Sequence, residues 1–345
     1  MDQKLTVCLF ILGRNAFTLR FLRYYNKFNI PYKLIIGDGS KDNLNKQILS
    51  QIKKNKNIEY YKFKHEFNKK LKEYDHNKFY LRILFCLNKV KTKYVKFISD
   101  DDMLINYSTS KCINFLEKNN SYDAVGGSGL DFTLFKKYYG KIKNINSFYN
   151  IKNFRSQNIV EKIKQFYEST FDCWHVIFRT KKILEIYKIS SRYNNFDKDF
   201  KDHFHELAIH IFLKIYFFKD PLILHESHND FHDGAMRGDV VERLKDKNFL
   251  KKLDNFSQNA NKICSFKDKN FISTEYYKGI VIKFLETLSL KSYYTIKDIS
   301  NLLKKNIHRK IKKNTDLSNF LSKSKNKKLN KELVSIQKFL FEFNQ

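Results

Sequence analysis

The chain has 345 residues, 42% of them hydrophobic, which is enough for one large domain or two around a sizeable core. Its formal net charge is +30, but the excess is nearly all Lys and is spread along the sequence, which argues against a dedicated nucleic-acid binder and fits a basic surface resting on anionic lipid head groups. No window holds the roughly 18 uninterrupted apolar residues of a membrane span, the opening Met1-Asp2-Gln3-Lys4-Leu5 lacks secretory-signal features, and five scattered cysteines with no Cys-x-x-Cys pair suggest neither a disulfide framework nor a zinc knuckle. A cytoplasmic protein is expected.

Residues 5–12 form a nearly continuous β-rich apolar run ending at Gly13-Arg14-Asn15, as in a strand buried on both faces. Helical spacing follows through Phe17, Phe21, Leu22, Tyr25 and Phe28 until Pro31 stops it. A second strand, Tyr32 to Ile36, leads into Gly37-Asp38-Gly39-Ser40. Strand, helix and strand within about 35 residues make the βαβ unit of a parallel sheet. Residues 42–54 read as a helix, 58–63 as a strand, and about 68–90 as a helix again. A fourth strand, Tyr94 to Ile98, delivers Asp100-Asp101-Asp102.

Beyond it the pattern predicts a helix near Ser108–Lys118, a strand at 123–127, a polar stretch over about 140–160 and a β-like run at Trp174–Arg179. A helix from about Lys181 to Tyr187, an amphipathic helix over Phe200–Phe218 and a strand ending in the His-rich loop 225–234 come next. The remainder is Lys-rich and helical. The fold class is therefore α/β, Rossmann-like with a mainly parallel central sheet, and two units are expected: 1–235, and a basic helical extension over 236–345. Within the extension Leu302, Leu303 and Ile307 alternate with Lys304, Lys305 and Arg309, a pattern that serves either membrane-surface contact or helical packing.

Three adjacent carboxylates at a strand's end repel one another and must face water, basic groups or a cation. Mg²⁺ and similar hard ions take such oxygens together with substrate phosphates. The competing reading is a strand ending in a polar turn. Arg14 and Arg82 are candidates for diphosphate contact because a guanidinium fork matches phosphate oxygens; Arg82 equally suits a helix surface. The spacing His205-Glu206-Leu207-Ala208-Ile209-His210 puts the two rings on different sides of a helix, which excludes a His-Glu-x-x-His protease. Trp174, the one tryptophan, could floor an acceptor sugar or fill a core.

Taken in order, Arg14-Asn15, Asp38-Gly39-Ser40 and Asp100-x-Asp102 on successive strand ends resemble glycosyltransferases of the GT-A fold, above all family 2, over roughly residues 5–105. The resemblance implies a Mn²⁺- or Mg²⁺-dependent hexosyltransferase that moves a sugar from a nucleotide-diphosphate donor to a glycan or lipid-linked acceptor, at the inner membrane face and with inversion. It implies donor contacts at Asp38, Gly39, Ser40, Asp100 and Asp101, and metal ligation by Asp102 and Asp100 completed by His225 and His228. The family's base falls here at Asp202, with Glu206, four residues on and on the same helical face, as alternate. Asp202 as a helix cap and Glu206 as a solvated side chain is the plain structural alternative. Gly37 departs from the Asp frequent in the family before Asp38. A nucleotidyltransferase and a non-catalytic basic binding protein are the rival functions.

Overall fold

The computed structural model describes residues 4–64, 67, 68, 73, 74, 76–136, 138–148, 158–168, 176–191, 198–227, 248–264, 272, 275 and 316–343. Its first half follows the expected alternation: β1 (Leu5–Ile11), α1 (Asn15–Lys27), β2 (Lys33–Asp38), α2 (Lys46–Lys53) and β3 (Ile58–Lys62). A small hairpin, β4 (Phe67–Asn68) with β5 (Glu73–Tyr74), then precedes α3 (His76–Lys89), so that helix starts later than its apolar spacing predicts. β6 (Tyr94–Ser99), β7 (Asp102–Leu104) and α4 (Asn106–Lys118) follow.

The middle of the chain holds a long hairpin, β8 (Ala124–Lys136) and β9 (Tyr139–Phe148), where the sequence suggests a short strand and a polar stretch. Next come α5 (Ile159–Glu168), β10 (Val176–Arg179), α6 (Thr180–Ser191), α7 (Lys198–Phe212) and β11 (Ile215–Glu226). The apolar run at 215–218 thus opens a strand rather than extending the helix before it. Three further helices are described: α8 (Phe249–Cys264), α9 (Leu317–Lys323) and α10 (Lys327–Glu342).

Nine strands form one sheet in the order β3-β2-β1-β6-β10-β8-β11-β7, with β9 on β8. β1, β2, β3, β6, β8 and β11 run in one direction, while β7, β9 and β10 oppose them. The sheet is therefore mostly parallel, and the fold is α/β. Strand alternation builds a core on each face. Val7, Leu9, Leu34 and Ile36 join α1, α2, α4 and α10 on one side; Cys8, Phe10, Ile35 and Phe97 join α3 and α5 to α8 on the other. The strand succession reverses beside β1, which sends β2 one way and β6 the other, and in open α/β sheets ligands bind at that crevice.

The C-terminal helix is part of this core. Leu329, Leu333, Ile336, Phe339 and Leu340 of α10 are buried with the β1 and α1 residues, and Phe339 packs its ring 5.8 Å from that of Tyr24. Polar contacts fix its position. Gln337 Oε1 accepts the Ile142 amide at 2.8 Å, and Glu332 accepts the amides of Asn106 and Tyr107 at 2.5 and 2.9 Å. Those two N–H groups open α4, whose own preceding residue Ile105 has no capping side chain. Among the described residues no helix is long and apolar enough to cross a membrane. The stretch from Leu302 to Arg309 lies outside them.

Candidate active site

The loops leaving β1, β2 and β6 meet at the crevice. Gly13, at φ +78°, turns the chain after β1, and its amide donates to Ser40 Oγ at 2.6 Å. Asp38 ends β2 fully buried. Its Oδ1 accepts the Ser40 amide at 2.8 Å, and its Oδ2 takes Tyr60 Oη at 2.7 Å and Lys62 Nζ at 3.2 Å. The Gly39 amide bonds Ile11 O at 3.1 Å, which ties the loop to β1. Arg82 is buried beneath these loops and donates to the Ile11 and Gly37 carbonyls at 2.9 and 2.6 Å. It braces the two strand ends from within the protein. A Cβ at Gly37 would meet Cys86 Sγ at 3.0 Å, Phe10 at 3.2 Å and Arg82 at 3.3 Å, so a larger residue there would require those side chains to shift.

The three aspartates separate into distinct jobs. Asp100 is buried, accepts Thr18 Oγ1 at 2.9 Å and pairs with Arg14. Burial pushes its pKa up to about 6 against the opposing pull of Arg14. Asp101 Oδ2 takes the other arm of the Arg14 fork at 2.6 Å. For Arg14, burial acts to lower the pKa, but the charges of Asp100 and Asp101 outweigh it and keep the guanidinium charged. Asp102 accepts the Ser99 amide at 3.1 Å and shares a 2.7 Å hydrogen bond with Nδ1 of His225. The β7–β11 register sets that pair, with His225 directly opposite Asp102.

Ligand atoms of Asp101, Asp102 and His225 lie within 4.8 Å of one another. Two carboxylates and an imidazole suit a divalent cation with positions left for substrate oxygens, so the residues fit the implied ion. Of the expected ligands, Asp102 and His225 come together here with Asp101, while Asp100 faces Arg14 and Thr18. His225 is held in a strongly acidic setting. Burial acts to lower its pKa, but the hydrogen bond and charge of Asp102, with Asp101 and Asp131, push it up to about 10.

Asp131 is the site neighbour that sequence reading missed. It lies in β8 directly beside His225 of β11, and a single acid inside an apolar strand carries no motif. Behind the group, Arg20 of α1 makes a buried ion pair with Glu226, the residue after His225. The Glu226 amide also bonds Asp101 O at 3.2 Å, and Arg20 donates to Tyr138 O at 3.1 Å. One guanidinium therefore links α1, the end of β11 and the β8–β9 turn.

Asp202 and Glu206 both fall on α7, which buries Phe204, Leu207 and Ile209 in the second core. Glu206 is half-buried; the Asp202 side chain, Trp174 and His228 lie outside the described residues.

No protein-family model and no curated protein matches this sequence. Among solved structures the chain is similar to residues 1–349 of S. aureus TarS in complex with UDP-GlcNAc, at 12% identity and TM-score 0.48, covering 87% of this chain and 76% of that one. Structures of TarS 1–349, and of the same fragment with UDP, match at 13% identity and TM-score 0.46, covering 85% of this chain and 93% of theirs. Strand order and loop chemistry have to carry the functional reading by themselves.

Proposed function

We propose that this protein is a metal-dependent glycosyltransferase that transfers a sugar, with inversion, from a nucleotide-diphosphate donor to a cell-surface glycan. The observation that carries the reading is the group Asp101, Asp102 and His225 at the strand-switch crevice, with Arg14 beside it. Asp101, Asp102 and His225 would hold Mn²⁺ or Mg²⁺, and such an ion stabilises charge developing on a diphosphate leaving group. Arg14 orients Asp100 and Asp101, and the Asp38–Ser40 turn shapes the pocket wall where the nucleotide would lie. Asp202, with Glu206 as alternate, is the proposed base that takes the proton from the acceptor hydroxyl. In this scheme residues 1–235 form the catalytic unit, 236–345 support it, and the basic surface holds it against the inner membrane face where lipid-linked acceptors lie.

The test is release of nucleoside diphosphate from a panel of sugar nucleotides with Mn²⁺. Chelation should abolish it, and Asp102→Asn should lower it roughly 100-fold or more. Release of pyrophosphate from nucleoside triphosphates instead would replace this reading with a nucleotidyltransferase. Failure of every nucleotide to raise the melting temperature in the presence of Mn²⁺ would remove both.

A further inference from the structure

The strand registers extend the site beyond its three central residues. Asp102 of β7 faces His225 of β11, His225 faces Asp131 of β8, and Asp131 faces Asn146 of β9. Residues in register on neighbouring strands project from the same side of a sheet, so these four side chains form one row. Along β8 the alternate residues Leu130 and Phe132 are buried in the first core and Leu134 packs against it, which turns Asp131, Thr133 and Phe135 to the opposite face. Thr133 is paired with Asn144 of β9. The face thus starts at the acidic group, continues along the amide side chains of Asn146 and Asn144, next to which the Thr133 hydroxyl oxygen is buried, and finishes on Phe135.

Phe135 is 67% exposed, the largest value among the exposed large hydrophobic residues described. A phenyl ring left in water at the end of a polar strip offers a flat apolar surface of the kind that packs on the C–H face of a pyranose. The amide side chains before it match a ligand rich in hydroxyl groups rather than an apolar partner. Phe135 lies four positions along the strand from Asp131, roughly 13 Å at about 3.3 Å per residue. That span exceeds one sugar ring.

We infer that the face of the β8–β9 hairpin turned away from the first core is an acceptor-binding strip, with Phe135 as the platform for a sugar unit remote from the reacting hydroxyl, so that the acceptor is an oligosaccharide rather than a monosaccharide. The inference rests on the glycosyltransferase reading for the identity of the reacting end. The turn of the hairpin is tied to α1 by Arg20 on Tyr138 O and by the Phe17–Tyr138 ring pair at 4.8 Å, contacts that favour one placement of the strip.

The experiment measures binding of chito- and malto-oligosaccharides of one to five units to the full chain by saturation-transfer NMR and calorimetry. Phe135→Ala and Phe135→Trp are compared with wild type. Binding should tighten at least tenfold from one unit to three or four in one of the two series. Phe135→Ala should lose that length-dependent gain, Phe135→Trp should keep it, and monosaccharide and Mn²⁺–nucleotide binding should stay unchanged in both. Affinity independent of length, absence of binding to both series, or a Phe135→Ala variant that binds every length like wild type would overturn the inference. So would a Phe135→Ala variant whose only change is a smaller sedimenting species or lost affinity for phosphatidylglycerol vesicles, since Phe135 would then serve a copy of this chain or a lipid. Nucleotide binding is read separately: its loss with length-dependent glycan binding intact would refute the transferase reading and leave the strip standing.

Discussion

Replacing Glu332 with Ala tests whether a carboxylate from the far end of the chain acts as the missing cap of α4. The helix begins at Asn106 with no acid in its first turn and no capping side chain at Ile105. Glu332 supplies both functions through its bonds of 2.5 and 2.9 Å to the first two amides. Loss of an N-cap costs about 1 kcal/mol and loss of a negative charge at a helix start up to about 1 more. Burial raises the Glu332 pKa against the two amide bonds that lower it, so part of the gain is already spent on desolvation. The expected net cost is about 1–2 kcal/mol for Glu332→Ala and about half that for Glu332→Gln, whose amide oxygen still accepts one bond. Urea unfolding followed by far-ultraviolet circular dichroism gives the stability change, and hydrogen exchange at Asn106 and Tyr107 gives the local one. A stability change below about 0.3 kcal/mol with unaltered exchange at those two amides would refute the reasoning.

Three further outcomes are expected. Arg20→Met strands the buried Glu226 carboxylate and should cost about 3–5 kcal/mol in urea unfolding, while Arg20→Met with Glu226→Leu should recover much of it; an additive double variant would contradict the pairing. His225 must lose its proton to ligate a cation, so Mn²⁺ titrations at pH 7 in buffers of different ionisation enthalpy should show about one proton released per ion, and affinity should rise from pH 6 to pH 8. Flat affinity over that range would count against His225 as a ligand. Burial, with the nearby Lys162 charge, lowers the His210 pKa from 6.5 to about 3, so its neutral form contributes stability that is present above pH 6.5 and lost as pH falls toward 3. The stability difference between wild type and His210→Gln should shrink by about 2 kcal/mol between pH 7.5 and pH 5. His225, with its raised pKa, has the opposite sign, favouring the fold below pH 6.5 and ceasing to do so as pH rises through about 10. Taking the difference between the two proteins cancels that contribution.

The first hundred residues were legible because β1 and β6 are buried along nearly their whole length and read as mostly apolar runs, Leu5 to Ile11 interrupted by Thr6 alone and Tyr94 to Ile98 by Lys96 alone. The acidic loop was legible because repulsion among three carboxylates demands a compensating group, here Arg14 and His225. The hairpin was harder. β9 carries a register shift between Thr133 and Leu134 of its partner, so Ile142 and Ile145, both buried, are three apart and break the period of two that marks a strand. The boundary between α7 and β11 was hidden because Ile215 and Phe217 continue the apolar content of the helix before them. Asp131 and Glu226 gave no local signal, since each acquires its neighbours only through register or through α1. Glu332 illustrates the same limit at greater distance, because its partners are 226 and 225 positions away.

That distance bears on how the protein is made. The apolar stripe of α10 covers the same side of the sheet as α1 and α4, so a ribosome that has released everything through β11 has still not delivered the residues that seal that side. The nascent α/β layer waits with Tyr24, Phe28 and the start of α4 uncovered. Chaperone demand should therefore peak late in translation, and a stop codon just before Lys327 should yield a sticky polypeptide although every aspartate of the crevice is present.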